Sequence, residues 1–229
     1  MDTDVNIAAD KRVAADAAVA EVRAGMLVGL GTGTTAAFAI DALGRAVAAG
    51  LSIRAVATSI ATERHAADRG IAVIDFADVA HVDLTIDGAD EIDDACRAIK
   101  GAGGAMLREK IVATASRRMI VIADGSKRVA TLGTARVPVE ILPFARSAVL
   151  ATLGSAATLR MDGAAPYRTD GGNLVADCRF DLTDPRRIAT RLEAMPGVIG
   201  HGLFLDEVDA AYIACDGVVT RLERARSSG

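Results

Sequence analysis

Four short segments carry the residue types that could do chemistry. The first is Gly29-Leu30-Gly31-Thr32-Gly33-Thr34-Thr35, between an apolar run and a helical stretch. Glycines there permit a tight turn and bring backbone N–H groups against an anion, and a helix N-terminus adds a favourable dipole. Three threonines add hydroxyl donors, so the segment suits a phosphate monoester. A dinucleotide loop fits less well. It needs a third glycine where Thr34 stands and an acid where Thr58-Ser59 stand. A P-loop needs a lysine before the Ser/Thr, which this loop lacks. A merely tight βα turn is the bland alternative.

Asp87-Gly88-Ala89-Asp90-Glu91 follows the apolar run Val82–Ile86. Three acids in five residues suit sugar-hydroxyl bonding or acid–base work. They could also ligate a metal, although no His or Cys lies at ligand spacing, or simply form a polar, helix-capping loop. The third segment runs from Lys100 through Gly101, Ala102, Gly103 and Gly104 to Arg108-Glu109-Lys110. A lysine and loop N–H groups could stabilise an oxyanion, with Glu109 projecting toward the same cleft. An exposed charge cluster is the alternative. Asp124-Gly125-Ser126-Lys127 is the fourth and weakest; read alone it is a surface turn. His65, His81 and His201 are scattered and read as structural or surface residues, and Cys96 reads as a passive thiol.

These segments need a scaffold that gathers them. Met26–Leu30, Ser52–Ala57, Ile71–Ile74, Val82–Ile86 and Met119–Ala123 read as strands, and Thr35–Ala49, Ile60–Arg69 and Ala105–Ala115 as helices. Alternation of apolar strands with helices predicts an α/β fold, a doubly wound, mostly parallel sheet with helices on both faces. Ligands of such sheets collect at the carboxyl ends of strands, where the four segments fall. After residue 130 the rhythm changes. Val137–Leu142, interrupted by Pro138, is followed by a helix Arg146–Leu153 and strands Ala157–Met161, Tyr167–Thr169 and Leu174–Phe180. Asp170-Gly171-Gly172-Asn173 signals a hairpin turn. A helix from Pro185 to Met195 and a strand Val198–Leu205 complete a β-α-β-β-α-β order, a smaller inserted α+β unit of ferredoxin-like type. The expected division is 1–130 with 206–229, and 131–205. Ala210–Ala214 and Val218–Leu222 are expected to rejoin the first sheet.

Composition sets bounds. The 229 residues are 51% hydrophobic and 24% charged, with a net charge of −4, which describes a globular chain with a sizeable core. The acidic balance and the want of a basic–aromatic stripe argue against a nucleic-acid partner. No apolar run approaches the ~20 residues of a membrane span. Three cysteines without a CxxC pair fit a reducing, cytoplasmic setting rather than a disulfide framework, and Met1–Lys11 does not read as a secretory signal.

The ordered series GLGTGTT (29–35), DGADEID (87–93), IKGAGGAMLREKIVA (99–113), ADGSK (123–127), PVEILPFA (138–145), TDGGN (169–173) and PGVIGHGLF (196–204) resembles type A ribose-5-phosphate isomerases over nearly the whole chain. That resemblance implies a metal-independent homodimer without a cofactor, acting on a phosphosugar by an aldose–ketose shift between D-ribose 5-phosphate and D-ribulose 5-phosphate. By position it implies Glu109 as general base, Lys100 as the cation beside the enediolate oxygen, and Asp87 as the acid for ring opening. The resemblance further gives Asp90 to substrate hydroxyls, and Thr32, Gly33, Thr34 and Thr35 to phosphate. Gly88, Ala89, Gly101, Ala102 and Gly103 would line the substrate, with Lys11 and Lys127 at its end. Thr34 replaces a usual serine and keeps the hydroxyl. Ala102 replaces a usual glycine, which would narrow the loop if that position needs positive φ. Gly125 replaces a larger residue. A non-catalytic sugar-phosphate sensor is the rival reading, disfavoured by the retention of both Lys100 and Glu109 and by the short stretch before Met26. Other enzymes of the same broad fold, such as amino-sugar phosphate deaminases, lack the pairing of DGADE with KGAGGAMLREK.

Overall fold

The computed structural model describes residues 2–225, with side chains from Asn6 onward; Met1 and 226–229, the extreme ends of the first expected unit, lie outside them. The first half runs α1 (Asp2–Val19), β1 (Leu27–Leu30), α2 (Thr34–Ala48), β2 (Arg54–Ala57), α3 (Ile60–Asp68), β3 (Leu84–Gly88), β4 (Glu91–Ile92), β5 (Ala98–Ile99), α4 (Met106–Thr114) and β6 (Met119–Asp124). The rest runs β7 (Val137–Ile141), α5 (Arg146–Leu153), β8 (Ala157–Leu159), β9 (Met161–Asp162), β10 (Ala165–Pro166), β11 (Leu174–Cys178), α6 (Pro185–Glu193), β12 (Val198–His201), β13 (Leu203–Phe204), β14 (Ala210–Cys215) and β15 (Val218–Glu223).

The main sheet has the order β15-β14-β6-β3-β1-β2, parallel throughout except for the β14–β15 hairpin at one edge. Its inner strands are buried on both faces, which explains why they read as continuous apolar runs. Period-2 alternation then sorts them. Leu84, Ile86, Ile120 and Ile122 pack with Ala14, Ala15 and Ala18 of α1, and Val28 and Leu30 with Ile40 and Leu43 of α2. Met119, Val121 and Ala123 face the other way, toward Met106 and Ala113 of α4. Thr85 and Asp87 therefore share the α4 face. That parity brings Asp87 and the helix bearing Glu109 together.

The chain enters at β1, goes outward to β2, then crosses back to β3, so the sheet reverses its winding between β1 and β3. Ligand crevices of doubly wound sheets lie outside the carboxyl ends at such a switch point. Here those ends are Leu30, followed by the glycine–threonine loop, and Asp87-Gly88.

A second sheet, β12-β7-β11-β8, is antiparallel and carries α5 and α6. Its order is that of a ferredoxin-like β-α-β-β-α-β unit. Pro138 does not interrupt β7. Its carbonyl accepts from Gly202 N–H at 2.8 Å, so its missing donor falls on the same edge, past the end of β12, where no ladder bond is lost.

Several expectations need correction. Ile71–Ile74 makes only a single bridge, Val73 to Ala55, and Tyr167–Thr169 only Arg168 to Leu174. Val198–Leu205 is broken at Gly202, because β12 joins the second sheet and β13 pairs with β5. The polar N-terminus gives no sequence signal for helix α1. Three of its alanines (Ala14, Ala15 and Ala18) are fully buried against the sheet, and small residues give little periodic signal. Among the described residues no helix is long and apolar enough to cross a membrane.

Candidate active site

At the end of β1 the chain turns into α2 with Gly33 at the N-cap and no side-chain cap. The first intrahelical bond recorded there is Ala37 N–H to Gly33 carbonyl, which leaves the N–H groups of the first turn for a ligand. No acid occupies that turn, so the helix end keeps its positive potential. Lys11 reaches the same place from α1, its Nζ 2.9 Å from Thr34 Oγ1. Buried Asp10 pins that helix by accepting Asp216 and Gly217 N–H at 3.1 and 2.8 Å. Lys127 comes from the turn after β6, which Asp124 caps through Ser126 N–H.

The opposite end holds a row of buried charges. Lys100 Nζ lies 2.9 Å from Asp87 Oδ2 and 3.2 Å from Glu109 Oε2, with all three side chains at most 4% exposed. Nζ also donates to Gly88 carbonyl. Among the described residues no neutral donor reaches Asp87 Oδ2 or Glu109 Oε2, so both oxygens depend on that ammonium. Burial, reinforced by the Asp87 charge, pushes the Glu109 carboxyl up to about 8 against the pull of Lys100. Burial likewise raises Asp87. For Lys100 burial acts downward, yet the two carboxylates outweigh it and hold the ammonium above its ordinary value. The arrangement keeps a cation fixed between two carboxyl groups, one of which is basic near neutral pH.

Between the ends is a cavity of about 280 Å³ lined by Lys11, Thr32–Thr35, Gly88, Ala89, Asp90, Lys100–Gly103, Glu109 and Lys127. The expected substrate-lining residues are thus gathered on one wall system, with one exception. Asp87 is fully buried and lies behind Lys100. Its Oδ1 accepts Thr32 and Gly88 N–H at 3.0 and 2.7 Å, tying the glycine–threonine loop to the lysine. Gly31 makes this possible, since a Cβ there would sit 2.0 Å from Asp87 Oδ1. Thr32 also departs from expectation. Its amide is committed to Asp87 and its hydroxyl lies 2.7–3.2 Å from those of Thr58, Ser59 and Thr62, so it braces the loop while Thr34 and Thr35 face the ligand space.

The acid-rich segment divides by strand parity and turn. Asp90 stands on the wall, its Oδ2 accepting Ala102 N–H at 2.9 Å. Glu91 turns away to accept Gly133 and Ala135 N–H. Asp93 closes the next turn through Ala95 and Arg97. Among the described residues no group of three His, Cys, Asp or Glu side chains is placed to hold a metal ion. The left-handed positions of the lysine loop are Gly101 and Gly104, so Ala102 carries no backbone strain and its methyl leaves the loop geometry intact. A Cβ at Gly125 would meet Cys215 Cβ at 3.0 Å, and this chain's cysteine takes the space a larger residue would need. Sequence reading missed Phe204, whose buried ring lies 5.4 Å from Lys100 Nζ, and Arg160 and Tyr167, which reach the lysine loop from the second sheet. The contacts of Arg160 and Tyr167 span some sixty residues and that of Phe204 about a hundred, and no local pattern announces them.

An anion cradle facing a buried carboxyl–ammonium–carboxyl row defines a site for moving a proton on a small phosphorylated molecule. The comparisons agree. Residues 54–217 match the family model of ribose 5-phosphate isomerase A (phosphoriboisomerase A), and the chain belongs to that family. A ribose-5-phosphate isomerase A of Sphingopyxis alaskensis is 53% identical over 213 residues, covering 91% of this chain and 93% of the relative. One from a Jannaschia species is 46% identical over 222 residues, covering 91% and 85%. A solved D-ribose-5-phosphate isomerase in complex with phospho-erythronic acid superposes with a TM-score of 0.91 at 34% identity, covering 96% of this chain and all of that one. The Plasmodium falciparum ribose 5-phosphate isomerase gives 0.92 at 34% identity and the same coverage.

Proposed function

We propose that this protein interconverts D-ribose 5-phosphate and D-ribulose 5-phosphate, with Glu109 moving one proton between C2 and C1 through an enediolate. The observation that carries this reading is the Asp87–Lys100–Glu109 row at one end of a cavity whose other end is an uncapped helix N-terminus. An aldose–ketose shift needs a single base beside two adjacent carbons and a fixed positive charge beside the oxygens that become anionic. Glu109 removes the C2 proton as Lys100 Nζ faces the developing O1 anion. The protonated carboxyl then returns that proton to C1 as the O2 hydroxyl proton passes to O1, so C2 becomes the ketone and no net proton is gained or lost.

Asp90, on the wall, takes substrate hydroxyls. Asp87 serves ring opening from behind the wall, through the Lys100 ammonium it faces. Thr34, Thr35, Gly33, Lys11 and Lys127 take the phosphate, whose binding energy orients the sugar; Gly88, Ala89, Gly101, Ala102 and Gly103 shape the space between. In the proposed division of labour, residues 1–130 and 206–229 form the catalytic unit and 131–205 the inserted one. We further propose a cytoplasmic homodimer. Three free cysteines, two of them buried, support a reducing compartment, and half-exposed Ile111 and Ile199, flanking an apolar groove of about 590 Å³, support a protein partner surface.

The test is formation of ribulose 5-phosphate from ribose 5-phosphate by purified, chelator-treated protein. Turnover that survives chelation supports the reading. Activity that returns only with an added divalent ion would overturn the reading in which Lys100, rather than a metal, faces the developing anion.

A further inference from the structure

Three successive carbonyls of the lysine loop are held by Arg160 and Tyr167, which flank the short β9–β10 ribbon of the inserted unit. Arg160 follows β8, and its Nη1 donates to Gly101 and Ala102 carbonyls at 3.2 and 2.9 Å. Its Nε and Nη2 donate to the two carboxylate oxygens of Asp177 on β11, at 2.9 and 2.5 Å. The guanidinium lies over the Tyr167 ring, 5.5 Å from its centroid, and Tyr167 Oη donates to Gly103 carbonyl at 3.2 Å. Gly104 permits this approach, because a Cβ there would lie 2.3 Å from Tyr167 Oη.

A trans peptide directs its N–H opposite to its C=O. With the Gly101 and Ala102 carbonyls turned to Arg160, the N–H groups of Ala102 and Gly103 must point the other way. The Ala102 amide does so, meeting Asp90 Oδ2 on the cavity wall. The Gly104 amide closes back on Gly101 carbonyl at 2.9 Å. Gly103 lines the cavity beside Lys100 and Glu109, and among the described residues its N–H meets no acceptor.

We propose that Arg160, resting on the isomerase reading above, is a positioning residue that aims the Gly103 amide into the cavity as an oxyanion donor beside Lys100. Asp177 keeps the guanidinium in the plane both carbonyls need, and a lysine could not span them, having one point charge where Arg160 has a planar fork. The inserted unit thereby contributes to catalysis without touching substrate.

Arg160→Lys retains a cation for Asp177 but loses the fork, and Arg160→Met removes the donors altogether. For both, kcat and KM for ribose 5-phosphate are measured together with inhibition by phospho-erythronic acid and by inorganic phosphate. The expected result is a fall in kcat of roughly 10–100-fold, the cost of misplacing a catalytic group by about 1 Å, with KM little changed. Phospho-erythronic acid, whose carboxylate resembles the enediolate oxygens, should weaken in parallel, and inorganic phosphate should inhibit as it does the wild type. Added guanidinium should restore part of the turnover of Arg160→Met. Wild-type kcat in Arg160→Lys overturns the proposal, as does equal weakening of phosphate and phospho-erythronic acid, which would mean general collapse of the site. If Arg160→Met fails to fold, Arg160→Lys decides. Failure of the wild type to isomerise would overturn the functional reading instead, whatever the variants do.

Discussion

The two ends of the cavity hold charge in opposite ways. At the end formed by the glycine–threonine loop, the proposed phosphate site, the donors are backbone amides, hydroxyls and the half-buried Lys11 and Lys127, all open to water. At the other end three ionisable groups lie buried, with Lys100 Nζ 2.9 Å from Asp87 Oδ2 and 3.2 Å from Glu109 Oε2. The open end can bind a dianion reversibly, with water and salt sharing the work. The closed end cannot be screened, so its groups answer mainly to each other and shift their proton affinities. Binding and chemistry are thereby separable, and substitutions should separate them.

The largest effects belong to the closed end. Glu109→Gln keeps shape and removes the base, so kcat should fall by at least about 100-fold while KM moves little. Steady-state kinetics with ribose 5-phosphate checks this, and a change confined to KM would break the contrast between the ends. Lys100→Met should lower kcat by about 10²–10³, the usual cost of one lost oxyanion donor. It should also lower the melting temperature, because removing one partner of a buried ion pair costs about 3–5 kcal/mol.

The open end should behave differently. Lys11→Met is expected to raise KM by about tenfold, since a charge-assisted hydrogen bond contributes roughly 1.5–3 kcal/mol, with kcat much less affected. Free ribose should be a very poor substrate for the wild type; equal efficiency with ribose 5-phosphate would show that the cradle is not used.

How much of this was legible beforehand follows the same division. Segments that work through local backbone, such as the uncapped turn into α2 and the hairpin turn at Asp170–Asn173, announce themselves by their own residues. The gathering of Asp87, Lys100 and Glu109 was legible at one remove, because their segments were expected at the carboxyl ends of parallel strands. The parity that turns Asp87 to the α4 face and the β1/β3 switch appear only in the folded sheet. What the sequence could not show is which polar atoms are already committed. Thr32 and Asp87 look like substrate ligands by type, yet their donors and acceptors are taken within the chain. Arg160 resembles any surface arginine until the second sheet folds over the lysine loop. The short strands β4, β5 and β13 likewise arise only from tertiary pairing.

Smaller effects concern pH. Glu109 must be ionised to act as base, and its carboxyl is raised to about 8. Activity should therefore climb with pH up to that region, well above where an ordinary carboxylate would level off, and a pH profile of kcat/KM checks it. Stability runs the other way. A carboxyl raised in the folded state favours folding most below its unfolded pKa and loses that contribution as pH rises through about 8. Glu109→Gln should thus gain on the wild type in melting temperature as pH rises from 5 to 9, a range set by those two pKa values.

The central claim is that Glu109 carries the proton between C2 and C1. Exchange of the substrate C2 hydrogen with solvent deuterium, followed by NMR in wild type and Glu109→Gln, tests it most directly. The wild type should wash deuterium into ribose 5-phosphate as it isomerises, and Glu109→Gln, folded and still inhibited by inorganic phosphate, should not. Exchange by Glu109→Gln near the wild-type rate would contradict the account and move the base elsewhere, with Asp90, the other carboxylate on the cavity wall, the next candidate.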